Sequence, residues 1–167
     1  MSGRPRKSGK RHPNGQLVRE PSNDKGSPEF LKHRENLVGP EYVNDPRASN
    51  PLGLFEIAEI ITASQSKAGW DWATAWWTVY GKPHGGGVDM EAGDRAHYDG
   101  PNPAMQRRAD TGRDALRKAG TLAEIITHKV CIEQQIPAWY SRDRKRMKEN
   151  GWCIALRDGV RALEDAL

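Results

Sequence analysis

The sequence predicts an all-α protein: a small bundle of five or six helices with a long disordered N-terminal arm and a long glycine-rich central loop. Three observations point there. Beyond residue 50, apolar residues recur at helical spacing. Capping residues and glycines punctuate those stripes. No pair of segments alternates with the period of two that paired strands need. The 167 residues suffice for one domain plus a tail.

Residues 1–49 read as a basic, largely disordered arm. They are rich in Pro, Gly, Asn and charge, and their few apolar residues keep no sustained period. Such a segment buries too little surface to offset its ordering entropy. Phe30, Leu31, Leu37, Val38, Tyr42 and Val43 stand apart and predict one short helix or a docked stretch. Arg4, Arg6, Lys7, Lys10, Arg11 and Arg19 fall in the first 19 residues with no acid among them. The net charge of +4 and the pI of about 9.2 therefore belong to the arm rather than to the body. A detached basic arm suits sequence-tolerant contact with phosphates, and it serves equally as a solubilising tail.

Residues 50–167 read as the helical domain. Asn50 is a good N-cap, and Pro51 suits the first helical position. Leu54, Ile57, Ala58 and Ile61 then make one apolar face. Thr62 and Gln65 have capping-box spacing and open a second helix, which runs to Tyr80 and carries Trp70, Trp72, Trp76 and Trp77. Gly81 and Pro83 end it. Residues 81–103, with six glycines and three prolines, predict a long loop. A third helix is expected over 104–118, with Met105, Ala109 and Leu116 inward and Gly120 as its stop. Thr121 and Glu124 repeat the capping-box spacing and open a fourth helix to Gln135, with Leu122, Ile125, Ile126 and Val130 as its apolar face. Ser141 is placed to cap a short basic helix to Glu149, closed by Asn150-Gly151. The last helix, over 153–166, aligns Leu156, Val160, Leu163 and Leu167.

Two cationic clusters carry the functional reading. The first is Arg4, Arg6, Lys7, Lys10 and Arg11. Its Gly3-Arg4-Pro5-Arg6-Lys7 run resembles the core of an AT-hook, a minor-groove binding peptide, although Ser2 stands where that core has an arginine. In such a peptide glycine lets the backbone approach the groove floor and proline keeps it extended. Arginines enter the narrow minor groove of A·T tracts. The second cluster is Arg142, Arg144, Lys145, Arg146 and Lys148, preceded by Trp139 and Tyr140. With the final helix it fits a helix-turn-helix unit within 121–167. The commoner reading of such a pattern is a peripheral solvated helix whose aromatics anchor it to the core. Trp70 with Trp77, and Trp72 with Trp76, occupy two faces of one helix. Burial between neighbouring helices accounts for them, and a partner surface is the alternative.

Catalytic chemistry finds little support. His84-Gly85-Gly86-Gly87 has the letters of an esterase oxyanion segment, but the chain holds no Gly-x-Ser-x-Gly elbow and no phosphate-loop spacing. His84, Asp89, Glu91, Asp94, His97 and Asp99 match no metal-loop spacing. His128, Cys131 and Cys153 are one short of the four ligands of a closed zinc site. No enzyme activity, cofactor or metal is expected. No apolar run approaches the roughly 20 residues of a bilayer span. No apolar segment follows the basic N-terminus as in a signal peptide. Two cysteines suit a reducing compartment.

At Pro51-Leu52-Gly53, Ala68-Gly69, Tyr80-Gly81-Lys82-Pro83 and Leu156-Arg157-Asp158-Gly159-Val160-Arg161-Ala162-Leu163, the chain resembles uncharacterised small proteins encoded by phages and prophages of alphaproteobacteria. The resemblance implies a phage context and assigns no catalytic residue. The resulting expectation is a phage-associated nucleic-acid-binding protein, regulatory or accessory to DNA packaging. It would act on duplex DNA in the host cytoplasm, without membrane contact. The alternative is a virion structural or assembly component, working through contacts with its own copies or another phage protein.

Overall fold

The computed structural model describes residues 27–82 and 102–167. The expected arm cations Arg4, Arg6, Lys7, Lys10 and Arg11 lie outside the described residues, as do His84–Asp99 of the central loop. Among the described residues there are seven α-helices and no strand. They are α1 (Pro28–Val38), α2 (Pro51–Ile57), α3 (Ala63–Tyr80), α4 (Pro103–Ala119), α5 (Thr121–Cys131), α6 (Arg144–Lys148) and α7 (Gly151–Ala166). Short 3-10 turns at Pro40–Tyr42 and Pro46–Ser49 join α1 to α2.

Local chemistry sets most helix ends. Asn50 caps α2, its side chain accepting from Gly53 N at 2.7 Å, with Pro51 in the first turn. Thr62 and Gln65 form the reciprocal capping box of α3, at 3.2 and 3.1 Å. Gly81 and Gly120 follow the last residues of α3 and α4. Four expected ends differ. Thr121 is the first residue of α5 rather than its cap, because the Gly120 carbonyl already accepts from Glu124 N at 3.0 Å. That helix stops at Cys131, short of Gln135. Asp143 rather than Ser141 caps α6, since its carboxylate reaches two free amides, Lys145 N and Arg146 N. Asn150 does not close α6; it caps α7 by accepting from Trp152 N at 2.8 Å.

The core is a bundle in which α3 and α5 pack on α7, and α4 packs on all three. Its centre holds Leu52, Phe55, Trp72, Leu116, Val130, Leu156, Val160 and Leu163, all essentially sealed from solvent. Of the four tryptophans of α3, Trp72 alone is fully buried, while Trp70, Trp76 and Trp77 are half-buried around the core. Its indole lies across α4 at Gly112, where a Cβ would overlap the ring, and its Nε1 donates to Ala109 O at 3.1 Å. Glycine is a poor helix former, but here it gives the largest side chain of the core a place to lie.

The face of α5 differs from the sequence expectation. Leu122 and Ile125 are 45% and 46% exposed. The buried stripe keeps Ile126 and Val130 of the expected face and adds Ala123, Thr127 and Cys131. Small side chains at 123 and 127 let α7 approach closely, with Gly159 lying against Thr127. Close helix contact overrides residue hydrophobicity at these positions.

A second, smaller apolar cluster, Val38, Ala48, Leu54 and Ile57, joins residues 37–48 to α2. Residues 27–49 thus belong with the helical body expected to begin at Asn50, and the short helix expected around Phe30–Val38 is α1. Ser27 caps it by accepting from Phe30 N. Among the described residues no helix is long and apolar enough to cross a membrane.

Candidate nucleic-acid interface

The C-terminal basic cluster divides into one anchored residue and four free ones. Arg144 turns inward: its guanidinium donates to Glu59 Oε1 at 2.9 Å and to the Ile57 carbonyl at 3.0 Å. The Tyr42 hydroxyl and the Glu59 carboxylate beside it favour its charged form. Glu59 sits in the left-handed region, with φ 58°, at the turn between α2 and α3. Arg144 therefore ties α6 to that turn. Met147, one turn later on α6, is buried in the main core. With these two residues fixed, Lys145, Arg146 and Lys148 are held on the solvent side of α6, and Arg142 is exposed just before it. None of these four forms an ion pair among the described residues.

Tyr140 fixes the approach to the cluster. Its ring meets Phe55 edge-on, with centroids 5.4 Å apart, and its hydroxyl lies 3.4 Å from the Leu37 carbonyl and 3.5 Å from that of Leu54. Burial pushes its phenol pKa up, partly offset by Arg144, so the hydroxyl stays a donor. Trp139 also packs against Phe55, at 5.6 Å. The two aromatics ahead of the basic cluster are thus half-buried anchors for the segment that presents it.

Between residues 37–42, the end of α2 and residues 140–144 lies a cleft of about 350 Å³. Leu37, Val38, Ile57 and Ala58 give it apolar lining, and Glu41, Tyr42, Tyr140, Arg142 and Arg144 supply the polar groups. Gly39 sits at its edge with φ +93°; a Cβ there would lie 2.7 Å from Arg142 Nη2 and 2.8 Å from Glu41 Oε2. The missing side chain leaves the space on which that guanidinium and carboxylate converge. The sequence reading named Arg142 and Arg144 but missed Glu41 and Gly39 as site residues. About a hundred residues separate the two walls, and no spacing rule links them.

Helix, turn and helix do follow one another at α6 and α7, but α6 has five residues and α7 buries Cys153, Leu156, Gly159, Val160 and Leu163. Its exposed face mixes Arg157 and Arg161 with Asp158, Glu164 and Asp165. The outer surface of α5 and its surroundings carry a different feature. Leu122, Ile125, Ile136 and Trp152 are all 41–49% exposed, and Ile136 and Trp152 border a second cleft of about 350 Å³ beside Lys129 and Trp139.

Neither cysteine is poised for chemistry. Burial raises the Cys131 thiol far above its usual value and pushes Cys153 up to about 11, against the opposing effect of Arg157. Both are free thiols. Among the described residues no three His, Cys, Asp or Glu side chains gather to hold a metal ion. Comparisons with protein families, with curated proteins and with solved structures return no match.

Proposed function

We propose that this protein binds nucleic acid, with the basic arm and the segment 142–148 as its contacts and duplex DNA as the principal ligand. The observation that carries the reading is the division within the second cluster. Arg144 and Met147 hold the segment rigidly while Lys145, Arg146 and Lys148 face solvent and Arg142 turns to the cleft, none of these four forming an ion pair among the described residues. Unpaired cations on a fixed scaffold are the electrostatic footprint of a phosphate-contacting surface. The mixed charge on the outer face of α7 favours backbone contact through α6 over base reading by α7 in the helix-turn-helix manner. The AT-hook-like Gly3–Lys7 run would add minor-groove contacts in A·T-rich duplex, and a phage regulatory or packaging accessory role fits such a ligand.

A salt titration of binding to duplex DNA, single strands and RNA tests this. Replacing Lys145, Arg146 and Lys148 by Gln should lower the slope of log affinity against log salt by roughly 2 to 3 on duplex DNA, if each meets one phosphate. An unchanged slope after both this change and neutralisation of Arg4, Arg6, Lys7, Lys10 and Arg11 would remove the reading. The exposed Leu122, Ile125, Ile136 and Trp152 favour a second role, in virion structure or assembly through protein contacts. Stoichiometric presence in purified particles would support that role.

A further inference from the structure

The cleft beside the basic segment has a composition that a phosphate surface alone does not need. Its lining brings together two guanidiniums, Arg142 and Arg144, one tyrosine from each wall, Tyr42 and Tyr140, a single carboxylate, Glu41, and apolar side chains. Its volume falls at the small end of the range of about 300–1,000 Å³ typical of small-ligand clefts. Arg142 forms no ion pair among the described residues and converges with Glu41 on the space at Gly39, whereas Arg144 is fixed by Glu59 and the Ile57 carbonyl.

Building on the nucleic-acid reading above, we infer that this cleft takes one unpaired nucleotide: Arg142 binds the phosphate, Tyr42 and Tyr140 pack against the base, and Glu41 accepts from an amino group on the base edge. Each assignment follows from the chemistry of the group. A guanidinium pairs with phosphate in a forked, charge-assisted contact. Half-exposed tyrosine rings give sequence-tolerant contact surface for a base. A carboxylate 2.8 Å from the point where a Gly39 Cβ would sit repels a second phosphate but accepts N–H donors of adenine, cytosine or guanine. Thymine and uracil offer only a ring N–H, so the cleft should rank them below the amino-bearing bases. The cations of α6 lie next along the chain, so a strand leaving the cleft at Arg142 can continue over Lys145 and Lys148. The favoured ligand is then a duplex with an unpaired end or a displaced base rather than a blunt duplex.

The test uses the full chain. Amide spectra are recorded with AMP, with TMP and with inorganic phosphate, and oligonucleotide affinities are measured for blunt and frayed duplexes. AMP should shift the amides of Gly39, Glu41, Tyr42 and Arg142. Inorganic phosphate should bind at least about tenfold more weakly, having no ring to pack. Arg142→Gln should cost about tenfold or more, the loss of a charge-assisted contact. Glu41→Gln should shrink the preference of AMP over TMP while leaving the melting curve in place. Equal effects from AMP and inorganic phosphate would reduce the cleft to a plain anion site and overturn the inference. So would AMP shifts confined to Lys145–Lys148. If duplex binding stays dependent on those lysines while AMP leaves the cleft amides unmoved, the inference fails and the nucleic-acid reading stands. If no oligonucleotide binds, both fall.

Discussion

The bundle of α3, α4, α5 and α7 and the outer layer of α1, the two 3-10 turns and α6 are held by different forces. The bundle is apolar and interlocked. Trp72 lies over Gly112, α7 presses on Thr127, and hardly a charge is buried. The outer layer has the four-residue cluster around Val38 and the buried Met147 of α6, and is fastened further by arginines. Arg47 bridges Asp45 at 2.7 Å and Glu56 at 2.9 Å, and Arg144 bridges Glu59. The candidate cleft lies within this second region, walled by residues 37–42 and 140–144. Ion pairs in partly exposed positions add little stability, but they fix direction. The bundle therefore supplies stability, and the clamps set the shape of the cleft.

The largest expected effect lies in the bundle. Trp72→Ala should cost about 3–5 kcal/mol, the range for emptying a fully buried aromatic site, read by denaturant unfolding. Gly112→Ala should cost about 1–3 kcal/mol by overpacking against the same ring, and the two changes should be strongly non-additive. Additive losses would show that the ring and α4 do not meet at this point.

Truncation separates the regions. Removing residues 1–45 deletes α1 and Val38, strips the small cluster of one wall, and should lower the melting temperature. Removing only residues 1–26, whose apolar residues are Met1, Leu17 and Val18, should leave it within error. Equal melting of the two truncations would mean that α1 contributes nothing to the body.

The clamps should give smaller changes. Arg144→Gln breaks a pair whose partners are well exposed, so global stability should fall by no more than about 1 kcal/mol. Amide exchange in 40–49 and 143–149 should nevertheless rise, and melting of the bundle should stay cooperative. Glu59 is a complementary probe. Glycine there relieves the left-handed backbone, so Glu59→Gly should be more stable than Glu59→Ala by about 1 kcal/mol.

The smallest effect is a pH dependence confined to the outer layer. Hydrogen bonding from Arg47 holds the Asp45 carboxyl below the usual carboxylate range. A depressed folded-state pKa contributes stability above the unfolded value of about 4 and loses it as pH falls through the folded value. Exchange at Ala48 should therefore accelerate below about pH 4, before exchange at Leu116 or Val160 changes. Simultaneous acceleration at all three would erase the distinction between the regions.

What the sequence determined on its own is the set of helices and several of their ends. Capping is a contact between residues three apart, so Asn50, Thr62 with Gln65, Gly81 and Gly120 declare themselves locally. The stripe Leu156, Val160 and Leu163 did the same for the last helix. Of the expected face of α5, Ile126 and Val130 are buried but Leu122 and Ile125 are not, because helix approach selects small residues, and Ala123 and Thr127 carry no strong hydrophobic signal. Ser141 lost the α6 cap to Asp143, a choice between neighbours that spacing alone does not make. Within the basic cluster all five cations look alike in sequence. Only tertiary structure decided that Arg144 is spent on Glu59, 85 residues away, and that Arg142 faces a cleft whose other wall begins near Leu37. Local capping energies act over a few residues and can be read along the chain. Which charge is paired and which is free depends on what the fold brings opposite it, and that is settled only when the outer layer docks on the bundle.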